Sequence, residues 1–120
     1  MARRVFIILH EGLGPYHVGI TYREYYGSEE AARARIQALI TYFEDLKLGK
    51  WHRDRGIVRK FNDENSDYRY LYPGWTAIDA WRGRDLDGPA KIILCVAEEE
   101  DVFPELFWRE KGWSRRGARG

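Results

Sequence analysis

A long amphipathic pattern runs through residues 28–48, SEEAARARIQALITYFEDLKL. Its apolar residues recur at steps of three and four, which places them on one side of a helix: Ala32, Ile36, Leu39, Ile40, Phe43 and Leu46. Ser28 is a favourable N-cap, and the two glutamates that follow it suit the positive end of the helix dipole. Gly49 is suited to the C′ position. The pattern therefore predicts one long helix with a single apolar face.

Apolar and alternating runs on both sides of this helix predict strands. Residues 5–9 (VFIIL) and 92–96 (IILCV) are uninterrupted β-prone runs, typical of strands that are covered on both faces. Residues 16–23 (YHVGITYR) alternate between apolar and polar or small side chains, which predicts a half-exposed strand paired with the first run in a hairpin. Residues 56–61 (GIVRKF) and 75–81 (WTAIDAW) are interpreted as further strands.

The size and composition of the chain fit one folded domain. With 120 residues, of which 44% are hydrophobic and 15% aromatic, the chain is long enough to form an independent core. Short connections between strands favour antiparallel neighbours. We expect an α+β domain over residues 1–113, with an antiparallel or mixed sheet of about five strands and the long helix on one face. A short C-terminal helix is predicted from near Pro104 to near Gly112, followed by a basic disordered tail over residues 114–120.

Residues 68–75, YRYLYPGW, hold three tyrosines at every second position. Alternate side chains of a strand share one face, so the pattern predicts a row of tyrosines that runs on to Trp75. Such a row is either the covered half of a sheet or a contact surface. Tyrosine, tryptophan and arginine dominate protein–protein hot spots, and arginines are interleaved with these aromatics. We expect a contact surface formed by Tyr68, Arg69, Tyr70, Tyr72, Trp75 and Trp81.

The charge of the chain favours a protein as the partner of this surface. The 20 basic residues are balanced by 19 acidic ones, whereas binding a phosphate backbone needs a basic excess. Five acids lie in the same part of the chain and would repel phosphates: Asp54, Asp63, Glu64, Asp67 and Asp79. The predicted function is a non-catalytic adaptor or inhibitor that binds a protein, or a second copy of itself through an uncovered sheet face. The alternative is a single-stranded nucleic-acid-binding module that stacks bases on the same aromatics.

Three residues around the predicted hairpin turn are the nearest approach to a catalytic set. His10, Glu11 and His17 would come together if the hairpin closed between residues 9 and 16. Histidine is a common general base and metal ligand, but this spacing supplies no third strong ligand. The alternative interpretation is two histidines at the rim of the sheet, solvated or bonded to loop backbone. We expect neither a metal nor a cofactor.

Asp79 alternates with Trp75, Ala77 and Trp81, so on a regular strand it shares a face with two tryptophans. A carboxylate in such apolar surroundings can have a shifted pKa and act as an acid or base. More often such a carboxylate is exposed at a sheet edge or paired with a neighbouring arginine, and three arginines lie on segments predicted to be adjacent: Arg59, Arg69 and Arg82. We expect one of these two structural roles rather than a catalytic one.

Residues 12–27, GLGPYHVGITYREYYG, resemble the strand that supplies the catalytic histidine of permuted papain-like peptidases. The resemblance implies His17 as that histidine. In the family the nucleophilic cysteine begins a helix, where the dipole lowers its pKa, whereas Cys95 lies inside an apolar run. A hydrolase that uses His10 or His17 with Glu11 or Cys95 is the third functional alternative.

The single cysteine also bears on location. Cys95 cannot form an intrachain disulfide, which fits a reducing compartment and a buried structural thiol. The longest apolar runs are far shorter than a membrane span. We therefore expect a cytoplasmic protein that does not interact with membranes.

Overall fold

The computed structural model describes residues 3–11 and 20–98. In chain order its elements are β1 (Arg3–Glu11), β2 (Ile20–Tyr26), α1 (Glu29–Asp45), β3 (His52–Arg53), α2 (Arg55–Asn62), α3 (Asp67–Leu71), β4 (Thr76–Asp85) and β5 (Gly88–Glu98). The strands form one five-stranded sheet in the order β2-β1-β5-β4-β3, and all its pairings are antiparallel. The predicted α+β class is confirmed. The predicted C-terminal helix and the tail over residues 114–120 lie outside the described residues.

The predicted long helix is confirmed as α1, which lies on one face of the sheet. The Ser28 hydroxyl caps it by accepting a hydrogen bond from the Ala31 backbone N–H at 3.1 Å. Four of its apolar residues are buried: Ala32, Ile36, Ile40 and Phe43. The predicted role of Gly49 is wrong, because the helix is already capped at Leu46 and Lys47 adopts the left-handed conformation with φ of 62°.

Two central strands carry the core on both faces, as their apolar runs predict. In β1, Ile7 and Leu9 face α1, whereas Phe6 and Ile8 face the opposite side. The neighbouring strand β5 alternates in the same way and is buried from residue 90 to residue 97. Both β1 and β5 have a partner strand on each side, so neither lies at an edge of the sheet.

Helix α2 covers the face opposite α1, although the sequence was interpreted as a strand there. The Asp54 carboxylate caps it by accepting a hydrogen bond from the Ile57 N–H at 3.2 Å. Ile57 and Phe61 are four residues apart, so on a helix they share the side that is buried against the sheet. The strand prediction for residues 56–61 is therefore wrong. The six residues from 56 to 61 are too short for their apolar pattern to distinguish a helix from a strand, and the Asp54 cap favours the helix.

With α2 and α3 in place, both faces of the sheet are covered by described residues. The expected self-association needed an uncovered sheet face, and the described residues leave neither face uncovered. Within the described ranges, no helix combines the length and the apolar character that crossing a bilayer requires.

Trp51 packs between the end of α1 and the sheet. Its indole ring stacks on Phe43 with centroids 5.6 Å apart and an interplanar angle of 19°. The Trp51 backbone N–H donates to the Glu44 carboxylate at 2.7 Å, and the indole N–H donates to the Arg84 carbonyl at 3.2 Å. The ring lies directly over Gly83, where an added Cβ would overlap it. Only glycine fits at this position without displacing the indole.

We predict that Gly83→Ala destabilises the domain by about 1–3 kcal/mol, because the new methyl group must displace a packed indole. The matched control is Gly27→Ala, since a Cβ at Gly27 meets nothing within 4 Å. The control should change stability by no more than about 0.5 kcal/mol. Urea unfolding followed by tryptophan fluorescence measures both variants. Equal midpoints for Gly83→Ala and the wild type would contradict the proposed packing.

Candidate functional site

Helix α3 separates the three tyrosines that were predicted to share a face. The Ser66 hydroxyl accepts a hydrogen bond from the Tyr68 N–H at 3.0 Å and so begins the helix. One helical turn brings Tyr68 and Tyr72 to the same side, where both are buried. Tyr70 points the other way and is 85% exposed. The predicted tyrosine row is therefore wrong, because a sequence period of two was interpreted as a strand.

The buried tyrosines belong to an aromatic stack on the sheet. Tyr72 lies between Phe61 and Trp75, with ring centroids 5.4 and 5.2 Å away and interplanar angles of 11° and 18°. Trp75 in turn meets the ring of Phe6 edge-on, at 4.8 Å. Burial raises the pKa of both Tyr68 and Tyr72, so their hydroxyls stay protonated. Tyr68, Tyr72 and Trp75 are core residues and cannot serve as the contact residues they were predicted to be.

The other predicted contact residues lie in different places. Arg69 is half-buried, and its guanidinium donates to the Trp75 carbonyl at 2.5 Å across the turn that follows α3. Trp81 lies on the α1 side of the sheet, with the guanidinium carbon of Arg53 5.6 Å from its ring centroid. The six predicted residues therefore do not form one surface.

An exposed surface remains around the outer side of α3. Tyr70 and Arg69 border an open hollow of about 610 Å³. The other lining residues are polar and come from the turn before the helix and from its first residue: Glu64, Asn65, Ser66 and Asp67. The Asp63 carboxylate accepts a hydrogen bond from the Asn65 N–H at 2.9 Å and so fixes this turn. We call Tyr70, Arg69 and these four residues the Tyr70 surface.

Asp79 is buried and forms an ion pair, one of the two structural roles expected for it, but its partners are other arginines. One of its oxygens accepts hydrogen bonds from Arg33 of α1 at 2.7 Å and is 2.9 Å from the guanidinium of Arg53 of β3. Its other oxygen accepts from the Ala80 N–H at 3.0 Å. A bulge after Ala77 turns Asp79 to the α1 side, away from the arginines expected to pair with it. The bonds to Asp79 and Glu29 raise the pKa of Arg33. Asp79 is thus a structural link.

His10 is buried, which contradicts the interpretation of a solvated histidine at the rim. Its ring centroid lies 5.8 Å from that of Tyr68 and 5.9 Å from that of Tyr72. Neither ring nitrogen has a hydrogen-bond partner among the described residues, although the residue is 0% exposed. Burial, and secondarily the charge of Lys91, lower the pKa of His10 from 6.5 to about 3. His10 is therefore neutral at physiological pH.

The predicted partners of His10 are only partly placed. Glu11 ends β1, where its backbone pairs with Ala90 of β5. His17 lies outside the described residues, so the convergence of His10, Glu11 and His17 stays a prediction.

Lys91 joins His10 in a buried polar cluster that sequence reasoning missed. It lies directly opposite His10 on β5 and is 2% exposed, with its ammonium 6.0 Å from the ring centroid of Tyr68. Burial, Arg82 and Lys60 lower its pKa from 10.5 to about 8, partly offset by Asp54. The sequence places Lys91 at the polar edge of an apolar run, where a lysine is ordinarily exposed. Only the register of β1 and β5 shows that it lies inside.

Cys95 is a buried thiol on the same side of the sheet as Phe6 and Ile8. Burial raises its pKa well above the ordinary value. At neutral pH it is therefore protonated, whereas the nucleophile of a cysteine hydrolase is the thiolate. The predicted structural role of the thiol agrees with this placement.

Comparisons with known proteins assign no family to the chain. No protein-family model, curated protein or solved structure matches it. Over residues 3–11 and 20–98, no group of three potential metal-ligating side chains converges. The function must therefore be inferred from the residues themselves.

The two sides of α3 give a direct test of its orientation. We predict that Tyr72→Ala destabilises the domain by about 3–5 kcal/mol, because it removes a ring from the middle of the aromatic stack. Tyr70→Ala should change stability by no more than about 0.5 kcal/mol, since its ring is in solvent. Chemical unfolding of the two variants measures the difference. A large loss for Tyr70→Ala, or a negligible one for Tyr72→Ala, would contradict this orientation.

The buried histidine predicts a specific sensitivity to acid. The pKa of His10 is about 3 in the folded state and about 6.5 when unfolded, so the unfolded chain binds more protons between these values. His10 therefore lowers stability as the pH falls from about 6.5 to about 3, by an amount on the order of 3–5 kcal/mol. We expect His10→Phe to remove this acid-dependent loss of stability. The free energy of unfolding of the variant, measured relative to that of the wild type, should therefore increase as the pH falls from about 6.5 to about 3. A difference that does not change with pH would refute the prediction.

Proposed function

We propose that this protein is a small non-catalytic binding domain, of the adaptor or inhibitor type, that contacts a protein partner through the Tyr70 surface. One observation carries the proposal. Tyr70 is 85% exposed on a helix whose opposite side is packed into the core by the buried rings of Tyr68 and Tyr72. A large side chain on a fixed backbone loses little further entropy when it binds. Tyrosine is also enriched among the residues that dominate binding energy.

The surroundings of Tyr70 indicate the chemistry of the partner. Glu64 and Asp67 place carboxylates on the rim of the hollow, and Arg69 is held beside them by the Trp75 carbonyl. A complementary protein surface would offer an apolar recess for the phenol ring and basic side chains for the rim. The same carboxylates would repel a phosphate backbone, so they support a protein over a nucleic acid.

The state of two residues supports binding over hydrolysis. Cys95 is buried and protonated, and His10 is buried and neutral, so neither reaches a substrate in the described arrangement. A lone buried thiol also agrees with the cytoplasmic location that we propose.

Site-specific photo-crosslinking tests the proposal in the cells that make the protein. A photoreactive phenylalanine analogue replaces Tyr70 in the full chain, and the matched control places the same analogue at Tyr42, which is 56% exposed on α1. We expect a discrete protein adduct from position 70 and none from position 42. Adding Glu64→Lys and Asp67→Lys to the position-70 chain should abolish the adduct, because the rim charge is reversed.

Each other outcome is informative. An adduct that nuclease removes would favour the nucleic-acid alternative over the proposed function. An adduct of twice the chain mass from the purified protein would identify the partner as a second copy. Equal labelling from positions 70 and 42, or none from either, would refute contact through the Tyr70 surface.

A further inference from the structure

Helix α2 presents basic side chains to solvent. Ile57 and Phe61 anchor the other side of the helix in the core. Three exposed residues of the helix carry positive charge: Arg55, Arg59 and Lys60. Arg55 and Arg59 are four residues apart, so they are neighbours on the helix surface. We call these three basic residues the α2 basic side.

The charge of the chain changes sign directly after α2. Three exposed acids follow the helix: Asp63, Glu64 and Asp67. Two of these acids, Glu64 and Asp67, belong to the Tyr70 surface. The ring of Phe61 in α2 stacks on that of Tyr68 in α3, with centroids 5.7 Å apart. Because this stack joins the two helices, the basic and acidic regions belong to one packed unit of the domain.

These charges do not pair with one another within the chain. Arg59 and Asp63 have the four-residue spacing at which helical side chains form ion pairs, and so do Lys60 and Glu64. The helix ends at Asn62, however, and the backbone of Asp63 is extended, with ψ of 126°. Among the described residues, none of the six charged side chains takes part in an ion pair. A partner that brings opposite charges therefore forms ion pairs that the described part of one chain does not.

A second copy of the chain has the charges that this unit requires. Residues 55–67 carry three exposed cations followed by three exposed anions, so the charge changes sign once along the segment. An antiparallel copy therefore places each basic half against an acidic half, whereas a parallel copy would bring like charges together. A two-fold axis near the end of α2 generates the antiparallel arrangement and makes its two contacts identical. Complementary charges of this kind fix the register of an interface.

We propose that two copies of this protein associate about such a two-fold axis, with the α2 basic side of each copy against the Tyr70 surface of the other. The inference rests on the proposed function and names a second copy as the partner of the Tyr70 surface. The exposed ring of Tyr70 lies beside Glu64 and Asp67, so it meets the arginines of the second copy. Guanidinium groups stack on tyrosine rings, and the aliphatic stems of arginines cover apolar surface. The contact uses the outer sides of α2 and α3 and needs no uncovered sheet face.

Charge reversal tests the proposal on the purified full chain. Analytical ultracentrifugation up to about 1 mM, which covers the weak affinities of small polar interfaces, should show a concentration-dependent dimer of the wild type. An acid-reversed variant carries Glu64→Lys and Asp67→Lys, and a base-reversed variant carries Arg55→Glu and Arg59→Glu. Each should dimerise about tenfold or more weakly than the wild type, because like charges then face each other in both contacts.

The matched control carries Glu30→Lys and Asp45→Lys. Both acids are exposed on α1, which packs on the opposite face of the sheet from α2, and the control has the same net charge as the acid-reversed variant. It should dimerise as the wild type does. Equal weakening of the control and the acid-reversed variant would overturn the proposal, since net charge alone would then explain the effect.

A mixture of the two reversed variants restores both contacts. One variant is basic in both regions and the other is acidic in both, so the mixture should form a heterodimer with an affinity close to that of the wild-type dimer. The control mixed with the base-reversed variant has the same net charges but should bind about tenfold or more weakly, because one of its contacts remains repulsive. Equal affinities of the two mixtures would overturn the proposal.

The salt dependence of the wild-type dimer needs no variant and therefore does not rely on the folding of one. Raising the salt concentration from about 0.05 M to about 0.5 M should weaken dimerisation several-fold, since exposed ion pairs are screened. A dimer that is insensitive to salt would overturn the proposal.

A wild type that stays monomeric would also overturn the inference, and photo-crosslinking from position 70 then separates it from the proposed function. Capture of a different protein in cells would leave the proposed function in place and refute the second copy as its partner. Capture of nothing in cells would refute both.

Discussion

The stack of Tyr72 between Phe61 and Trp75 is the constraint on which the second layer of this domain depends. It joins α2, α3 and the start of β4 through three nearly parallel rings, and Trp75 carries the contact on to Phe6 of the sheet. A helix as short as α3 is not stable by itself, so its conformation relies on this packing. The outward direction of Tyr70 is a consequence of the same stack, because a helix that buries Tyr68 and Tyr72 must expose the residue between them.

Polar side chains complete the sheet where its strands are short or irregular. Strand β3 has two residues, so it leaves part of the β4 edge without a strand partner. There the Asn62 amide donates to the Ala77 carbonyl and accepts from the Ala77 N–H, both at 2.9 Å, much as a neighbouring strand would. On the other face, the bulge in β4 turns Asp79 toward two arginines, which ties α1 and β3 to the sheet. Each link satisfies a group that would otherwise be buried without a partner.

The two sides of α3 carry different chemistry. The outer side presents one exposed ring beside carboxylates, an arrangement suited to a protein surface. The inner side brings the buried ring of Tyr68 close to the buried side chains of His10 and Lys91.

By itself the sequence determined the long helix, the two central strands and the α+β class. A sustained 3.6-residue period and an uninterrupted β-prone run each have one favourable local structure. It also picked out Tyr70 and Arg69, but not which aromatics around them are buried. Only the tertiary structure decided α2 and α3, because their short runs fit a strand as well as a helix, and packing of Ile57, Phe61, Tyr68 and Tyr72 against the sheet selects the helix. The caps from Asp54 and Ser66 support that outcome. Likewise, the bulge that turns Asp79 and the register that buries Lys91 beside His10 depend on pairing between distant parts of the chain, which no local pattern records.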